Sequence, residues 1–222
     1  YGGMTITQMI SYAEGLGYNV VGAINADFGY WETRIPCGMV VEDGIYKSSP
    51  EGNSAIGFTD GRAYASYKPE VYITLENDTQ GSSVTTTHLN KTRADNGVYL
   101  YSEYFSTVST RTSTSGWYVR LKVLSGEITL DGTMQLEVAD IIQGKKSVPI
   151  GEGYVILTAS DAAGQDAALA KFSVGDRVTL STECSDATLA QQDWVSGSGN
   201  IIAKDGKVFD EDGWDSSITA TN

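Results

Sequence analysis

The chain has 222 residues, with 15 Lys and Arg against 28 Asp and Glu, a formal charge of −13. Such an acidic chain lacks the basic face that a phosphate backbone requires, so no nucleic acid is expected as a partner. Hydrophobic residues at 41% and aromatics at 10% exclude a disordered chain. No apolar run reaches the roughly 20 residues of a membrane helix, so no transmembrane segment is expected.

Residues 6–15 open the chain's organisation with a helix: Ile6, Met9, Ile10 and Ala13 recur at helical spacing. Thr5 and Gln8 read as a capping box, and Gly15 or Gly17 supplies the stop. Residues 18–24 are a short apolar run that predicts a buried strand. A polar and aromatic loop follows, carrying Asn25, Asp27 and Phe28. Residues 39–45 and 56–64 each read as strand, Asp-Gly turn, strand.

The middle of the chain alternates like half-buried strand at 71–75, 97–101 and 117–123, and Asp131 with Gly132 marks a further tight turn. Residues 149–157 read as a turn into a strand, and Ser160 with Asp161 caps a second helix over 162–171. Residues 174–180 are a turn into a strand, and 200–209 a last Asp-Gly hairpin before a polar, acidic tail. The sum is about ten strands and two helices. The fold class is α+β, strand-dominated, with mixed sheets.

The lone His88 excludes a multi-His metal centre built by this chain. Cys37 and Cys184 form one disulfide or stand as two separate thiols; spacing does not choose between them. The Asp-Gly pairs fall at irregular intervals and do not make a calcium loop, so the metal question stays open at this level.

Chemistry has a few places to sit. Asn25 and Asp27 follow an expected strand end, where an amide and a carboxylate either form a site or merely cap the strand. Asn90 and Arg93, near His88, offer a donor and a guanidinium fork suited to phosphate, or an ordinary surface turn. Thr110 lies in a hydroxyl-rich stretch, 107–114, suited to a sugar or phosphate or equally to a solvated strand end. The run 196–200, with Gly197 and Gly199, resembles an anion-cradling loop without the Lys of a P-loop. Tyr12, Phe28, Tyr30 and Trp31 cluster in sequence as sugar-stacking faces or as core aromatics. Asn77 and Asn90 each open a glycosylation sequon.

Taken in order, these segments resemble the phosphodiester glycosidase family, that of the "uncovering enzyme" N-acetylglucosamine-1-phosphodiester alpha-N-acetylglucosaminidase. The family's Asn-Gly-Asp-Phe is matched by Asn25, Ala26, Asp27 and Phe28, with Ala26 in the glycine position. Its Pro-x-Gly-x-x-Val-x-x-Gly segment is matched from Pro36 through Gly38 and Val41 to Gly44. Asn90 and Arg93 match its Asn-x-x-Arg, leading into Leu100 and Tyr101. Residues 149–159, 174–176 and 197–206 follow in the family's order.

The resemblance implies one domain over 1–222, lacking the family's first strands and its later Arg-Thr-Ala and Asp-Gly-Gly-Gly-Ser segments. Tyr1 in place of Met suggests an upstream segment that has been removed, and the missing C-terminal remainder is a possible partner chain. It implies hydrolysis of a sugar-1-phosphodiester of the N-acetylglucosamine type, on extracellular or cell-wall glycans, by a secreted bacterial protein without a cofactor. Asp27, Asn25 and Arg93 are its implied catalytic residues, with Asn90, Thr110, Phe28, Gly38, Gly197 and Gly199 contacting substrate. The alternative is a non-catalytic secreted module that binds carbohydrate or associates with the cell wall.

Overall fold

The computed structural model describes residues 4–208 apart from 31, 107, 162–165, 200, 202 and 205. Helix α1 (Ile6–Gly15) forms as its caps dictate. Thr5 Oγ1 accepts from Gln8 N–H, Gln8 Oε1 accepts from Thr5 N–H, and Gly17 turns left-handed just past the end. The helix contains no buried residue. Its spacing is helical, but its apolar stripe faces away from the core.

The expected strand over 18–24 is not formed. Residues 21 and 24 are almost fully exposed valine and isoleucine, and no described ladder includes this run. Apolar composition gives a segment a reason to be buried, but a strand also needs an edge that accepts its N–H and C=O groups.

Two sheets follow. The smaller has five strands: β1 (Val40–Glu42), β2 (Ile45–Ser48), β3 (Ser54–Thr59), β4 (Arg62–Ser66) and β13 (Trp194–Ser198), in the order β2-β1-β13-β3-β4. Both of its hairpins turn where expected. Asp43 with Gly44 and Asp60 with Gly61 are all left-handed, the backbone that two-residue hairpins require. The run 196–198 is therefore a strand at the centre of a sheet, not an anion-cradling loop. Gly197 there follows the strand grammar of close backbone approach, its missing Cβ leaving room for Gly38.

The larger sheet is built from β5 (Val71–Asn77), β6 (Ser82–Thr86), β7 (His88–Leu89), β8 (Val98–Tyr101), β9 (Gly116–Ser125), β10 (Thr133–Lys145), β11 (Tyr154–Ser160) and β12 (Arg177–Cys184). Its order is β6-β5-β12-β10-β9-β11-β8-β7, antiparallel except where β7 runs parallel to β8. The architecture is thus strand-dominated α+β with a mixed sheet, as expected. Asp131 and Gly132 form a bend that receives β12, through Asp131 Oδ1 accepting from Cys184 N–H, and not a tight hairpin. The last hairpin, β14 (Ala203–Lys204) and β15 (Lys207–Val208), forms as expected, with its Asp205 outside the described residues.

The second helix is shorter than expected: α2 (Asp166–Leu169). Phe172 N–H already bonds back to Leu169 in a tightened turn, and Asp176 caps the chain beyond by accepting from Ser173. The first part of the expected helix, 162–165, lies outside the described residues, as does the acidic tail.

The two sheets share one core. Val41, Tyr46, Ala55 and Val195 from the smaller sheet, with Met39 just before β1, join Ile73, Leu100, Leu121, Leu136, Leu157 and Leu180 from the larger in a continuous buried cluster. A second cluster lies on the other face of β8, β9 and β11, where Tyr99, Tyr101, Tyr118 and Ile156 meet Val148 and Ile150. Cys37 and Cys184 are both free thiols.

Candidate functional site

Asp27 is placed by a loop closed on itself. Gly29 and Pro36 form an isolated antiparallel bridge, Tyr30 N–H donates to Ile35 O (2.9 Å), and Cys37 N–H donates to Phe28 O (2.8 Å). The fold-back brings the Asp27 carboxylate onto the start of β1. Its Oδ1 accepts from Phe28 N–H (2.7 Å) and its Oδ2 from Gly38 N–H. Both oxygens are thereby oriented by backbone.

Beneath the carboxylate lies a platform of two glycines. A Cβ on Gly38 would stand 2.7 Å from Asp27 Oδ2, and one on Gly197 would stand 2.3 Å from it. Either side chain would push the carboxylate off its seat. Gly197 is held there by its N–H bond to Met39 O (2.7 Å). Three residues far apart in the chain, Asp27, Gly38 and Gly197, are thus brought into contact.

Lys91 fixes the loop from below. The residue is 4% exposed. It donates to Pro36 O (2.7 Å), Cys37 O (3.1 Å) and Gly38 O (3.1 Å), one for each of its N–H groups. Burial brings its pKa down from the ordinary 10.5 to about 8, against the pull of Glu51, Asp27 and Cys37. Burial, reinforced by Asp27, pushes the Cys37 thiol up, with Lys91 opposing. Nearby, Glu51 accepts from Ser49 Oγ (2.8 Å) and bonds His88 Nδ1 (2.9 Å), while the His88 ring stacks on Tyr99. Burial raises the Glu51 carboxyl, but the hydrogen bonds from His88 and Ser49 and the charges of His88 and Lys91 outweigh it, leaving it lowered.

Asp27 opens onto a groove of ≈ 370 Å³ lined by Phe28, Arg34, Glu42 and Trp194, among others. Phe28 and Trp194 are exposed there, as are Tyr12 and Tyr30 nearby in sequence, so these aromatics do not serve the core. Trp31 lies outside the described residues. Aromatic faces beside a carboxylate and a cation make a surface suited to stacking and hydrogen-bonding a sugar.

Other expected site residues fall elsewhere. Arg93 is 7% exposed and its Nη groups donate to Thr158 Oγ1, Ala159 O, Thr114 O and Ser115 O. It clamps the 114–115 segment to β11 and lies over the Tyr118 ring, with its Nε buried and unpartnered among the described residues, so burial rather than bonding keeps it from a phosphate. The Asn90 amide is saturated: Nδ2 donates to Lys47 O and Ser102 Oγ, and Oδ1 accepts from Ser102 N–H. Thr110 is buried in a hydroxyl network with Thr112 and Ser147. Asn25 is exposed two residues before Asp27, and Gly199 lies past β13, outside the platform. The sequon nitrogens of Asn77 and Asn90 are both buried donors, so a glycan on either is incompatible with the fold.

Sequence reasoning passed over Lys91, Arg34 and Trp194. Lys91 reads as a turn cation in sequence, and only the three converging carbonyls reveal it. Among the described residues no group of three His, Cys, Asp or Glu side chains is placed to hold a metal ion. No helix there is long and apolar enough to cross a membrane.

No protein-family model matches the chain, and no curated protein matches it in sequence. Two solved structures share its fold. A hypothetical protein from Synechocystis superposes with a TM-score of 0.64 at 17% identity, over 84% of this chain and 33% of its own. A protein described as exported, from Burkholderia pseudomallei K96243, superposes with a TM-score of 0.60 at 14% identity, over 90% of this chain and 44% of its own. The chain therefore spans less than half the length of either. At such identities the likeness is one of fold.

Proposed function

We propose that this chain carries the carboxylate side of a hydrolase that cleaves a sugar-1-phosphodiester, in an extracellular or cell-surface setting. The observation that carries the reading is the Asp27 carboxylate, seated on bare glycine backbone, oriented through both oxygens and opening onto an aromatic-lined groove. Oriented groups of this kind supply catalysis by position. The anomeric carbon develops oxocarbenium character as its bond to the phosphate oxygen breaks. Asp27 stabilises that charge, as nucleophile or as the base that activates water. Phosphate leaves as a weak base, so the reaction needs little general-acid help. Phe28 and Trp194 offer faces for the sugar ring. The export description of one structural neighbour is compatible with the extracellular setting.

The exposed aromatics alone also suit a carbohydrate-binding module without catalysis, and one experiment separates the two. Release of reducing sugar from an N-acetylglucosamine-1-phosphodiester is measured for the protein and its Asp27→Asn variant. The hydrolase reading expects turnover that falls by about 100-fold or more in the variant, with melting unchanged. Equal turnover in both overturns it, and glycan binding without any turnover leaves the binding module.

A further inference from the structure

With Arg93 committed to the interior, a phosphate would have to be met by other cations, and three of them line one groove. A second groove, ≈ 230 Å³, is lined by Arg34, Lys47, Asn90, Tyr104, Phe105 and Arg111, among others. Among the described residues no acidic one lines it, although Asp and Glu outnumber Lys and Arg 28 to 15 in the whole chain. It shares Arg34, Pro36 and Val40 with the Asp27 groove, so the two are neighbours across the Pro36 loop.

The cations are set on aromatic walls. Lys47 Nζ lies 4.5 Å from the Tyr104 ring centroid, and Arg111 Cζ lies 5.6 Å from that of Phe105. Arg111 Nη1 is anchored on Thr33 O (3.0 Å), and Lys47 is ion-paired with Glu42. Backbone strain converges on the same place. Seven non-glycine residues among those described have left-handed φ, and three of them line this one groove: Arg34 (63°), Asn90 (56°) and Arg111 (51°). Asp43 and Asp60 owe theirs to hairpin turns and Arg34 closes the turn that begins at Tyr30, whereas no hairpin accounts for Arg111. Strain held at the exposed Arg111 points toward function.

We infer that this groove is the anion subsite of the molecule, taking the phosphate of a phosphate ester between Arg34, Lys47 and Arg111. The choice of phosphate rests on the sugar-phosphodiester reading; the convergence of cations does not. The sugar then lies over Asp27 and the phosphate across Pro36 from it, with Arg34 at the junction.

The test titrates dimethyl phosphate and inorganic phosphate into the protein, following backbone amide shifts by NMR. Saturable shifts confined to 33–36, 47–48 and 104–111, weakening as NaCl rises, are expected. Arg111→Gln or Lys47→Gln should weaken binding about tenfold, Arg111→Lys by less, and the control Arg62→Gln on exposed β4 not at all. The subsite is overturned if binding is not saturable, if the shifts lie elsewhere, or if neither glutamine variant weakens it. Phosphate binding with no Asp27-dependent turnover would sink the catalytic reading and leave the subsite standing. Asp27-dependent turnover indifferent to both glutamine variants would do the reverse.

Discussion

A buried ammonium loses its hydration, and Lys91 recovers it only because three carbonyls of one loop point at it. Lys91→Met keeps the stem and removes the donors. It is expected to cost about 1–3 kcal/mol in urea unfolding, the penalty for acceptors left unpaired. Loss of the Asp27-dependent activity should accompany it, because Gly38 would no longer be held. The pH dependence has a definite sign. With a pKa of about 8 in the fold against 10.5 ordinarily, Lys91 binds fewer protons folded than unfolded between those values. Its contribution therefore makes stability rise with pH across that interval, and Lys91→Met should flatten that part of the curve. Glu51 behaves oppositely in origin. Its lowered pKa adds stability above its unfolded value that is lost as pH falls through the folded one. Glu51→Gln should therefore weaken acid resistance, read as a midpoint at higher pH in acid unfolding. At this scale the sequence misleads in a specific way. Arg93 and Asn90 have the residue types of a phosphate site, and burial gives them to the scaffold. Arg111 sits in a stretch legible only as hydroxyl-rich, because no local pattern tells which cation will meet a groove.

The hairpins of the smaller sheet are legible because Asp43-Gly44 and Asp60-Gly61 stand between two strand patterns, which Asp131-Gly132 does not, and α1 because its caps are written in residues three apart. The run at 18–24 was misread because a buried strand and an exposed apolar arm have the same composition. Helix α1 tests the point. Ten residues without burial lie below the length at which helices are stable alone. Its amides should exchange with solvent faster than those of β9–β11, and Thr5→Ala should reduce their protection further, read by hydrogen exchange. The glycine platform offers a steric test. Gly197 has no left-handed backbone to confound it, so Gly197→Ala acts by clash alone, with the Asp27 carboxylate and with the Gly38 backbone 2.8 Å away. The variant is expected to lose activity out of proportion to a destabilisation of about 1–3 kcal/mol, measured by paired melting and turnover assays.

Across the whole molecule the buried cluster is continuous between the sheets, so the described strands should melt in one transition seen alike by tyrosine absorbance and far-UV circular dichroism. The sheet-rich class was readable from alternation and turn residues. The pairing was not, since sheet order is set by contacts between segments far apart, such as β12 lying between β5 and β10.

That ordering has a consequence for how the chain is made. Val40 pairs with Ser196, and β13 also pairs with β3, so the hairpins β1–β2 and β3–β4 leave the ribosome as separate units with bare facing edges. They stay so until β13, far along the chain, has been synthesised. Through that interval the nascent chain exposes two templates for stray pairing, which charged neighbours such as Glu42 and Arg62 help to guard. Because Gly197 travels on the same late strand, the seat of Asp27 is completed in the step that closes the sheet. A message cut short before β13 would therefore yield a product lacking both the joint and the site, and an aggregation-prone one.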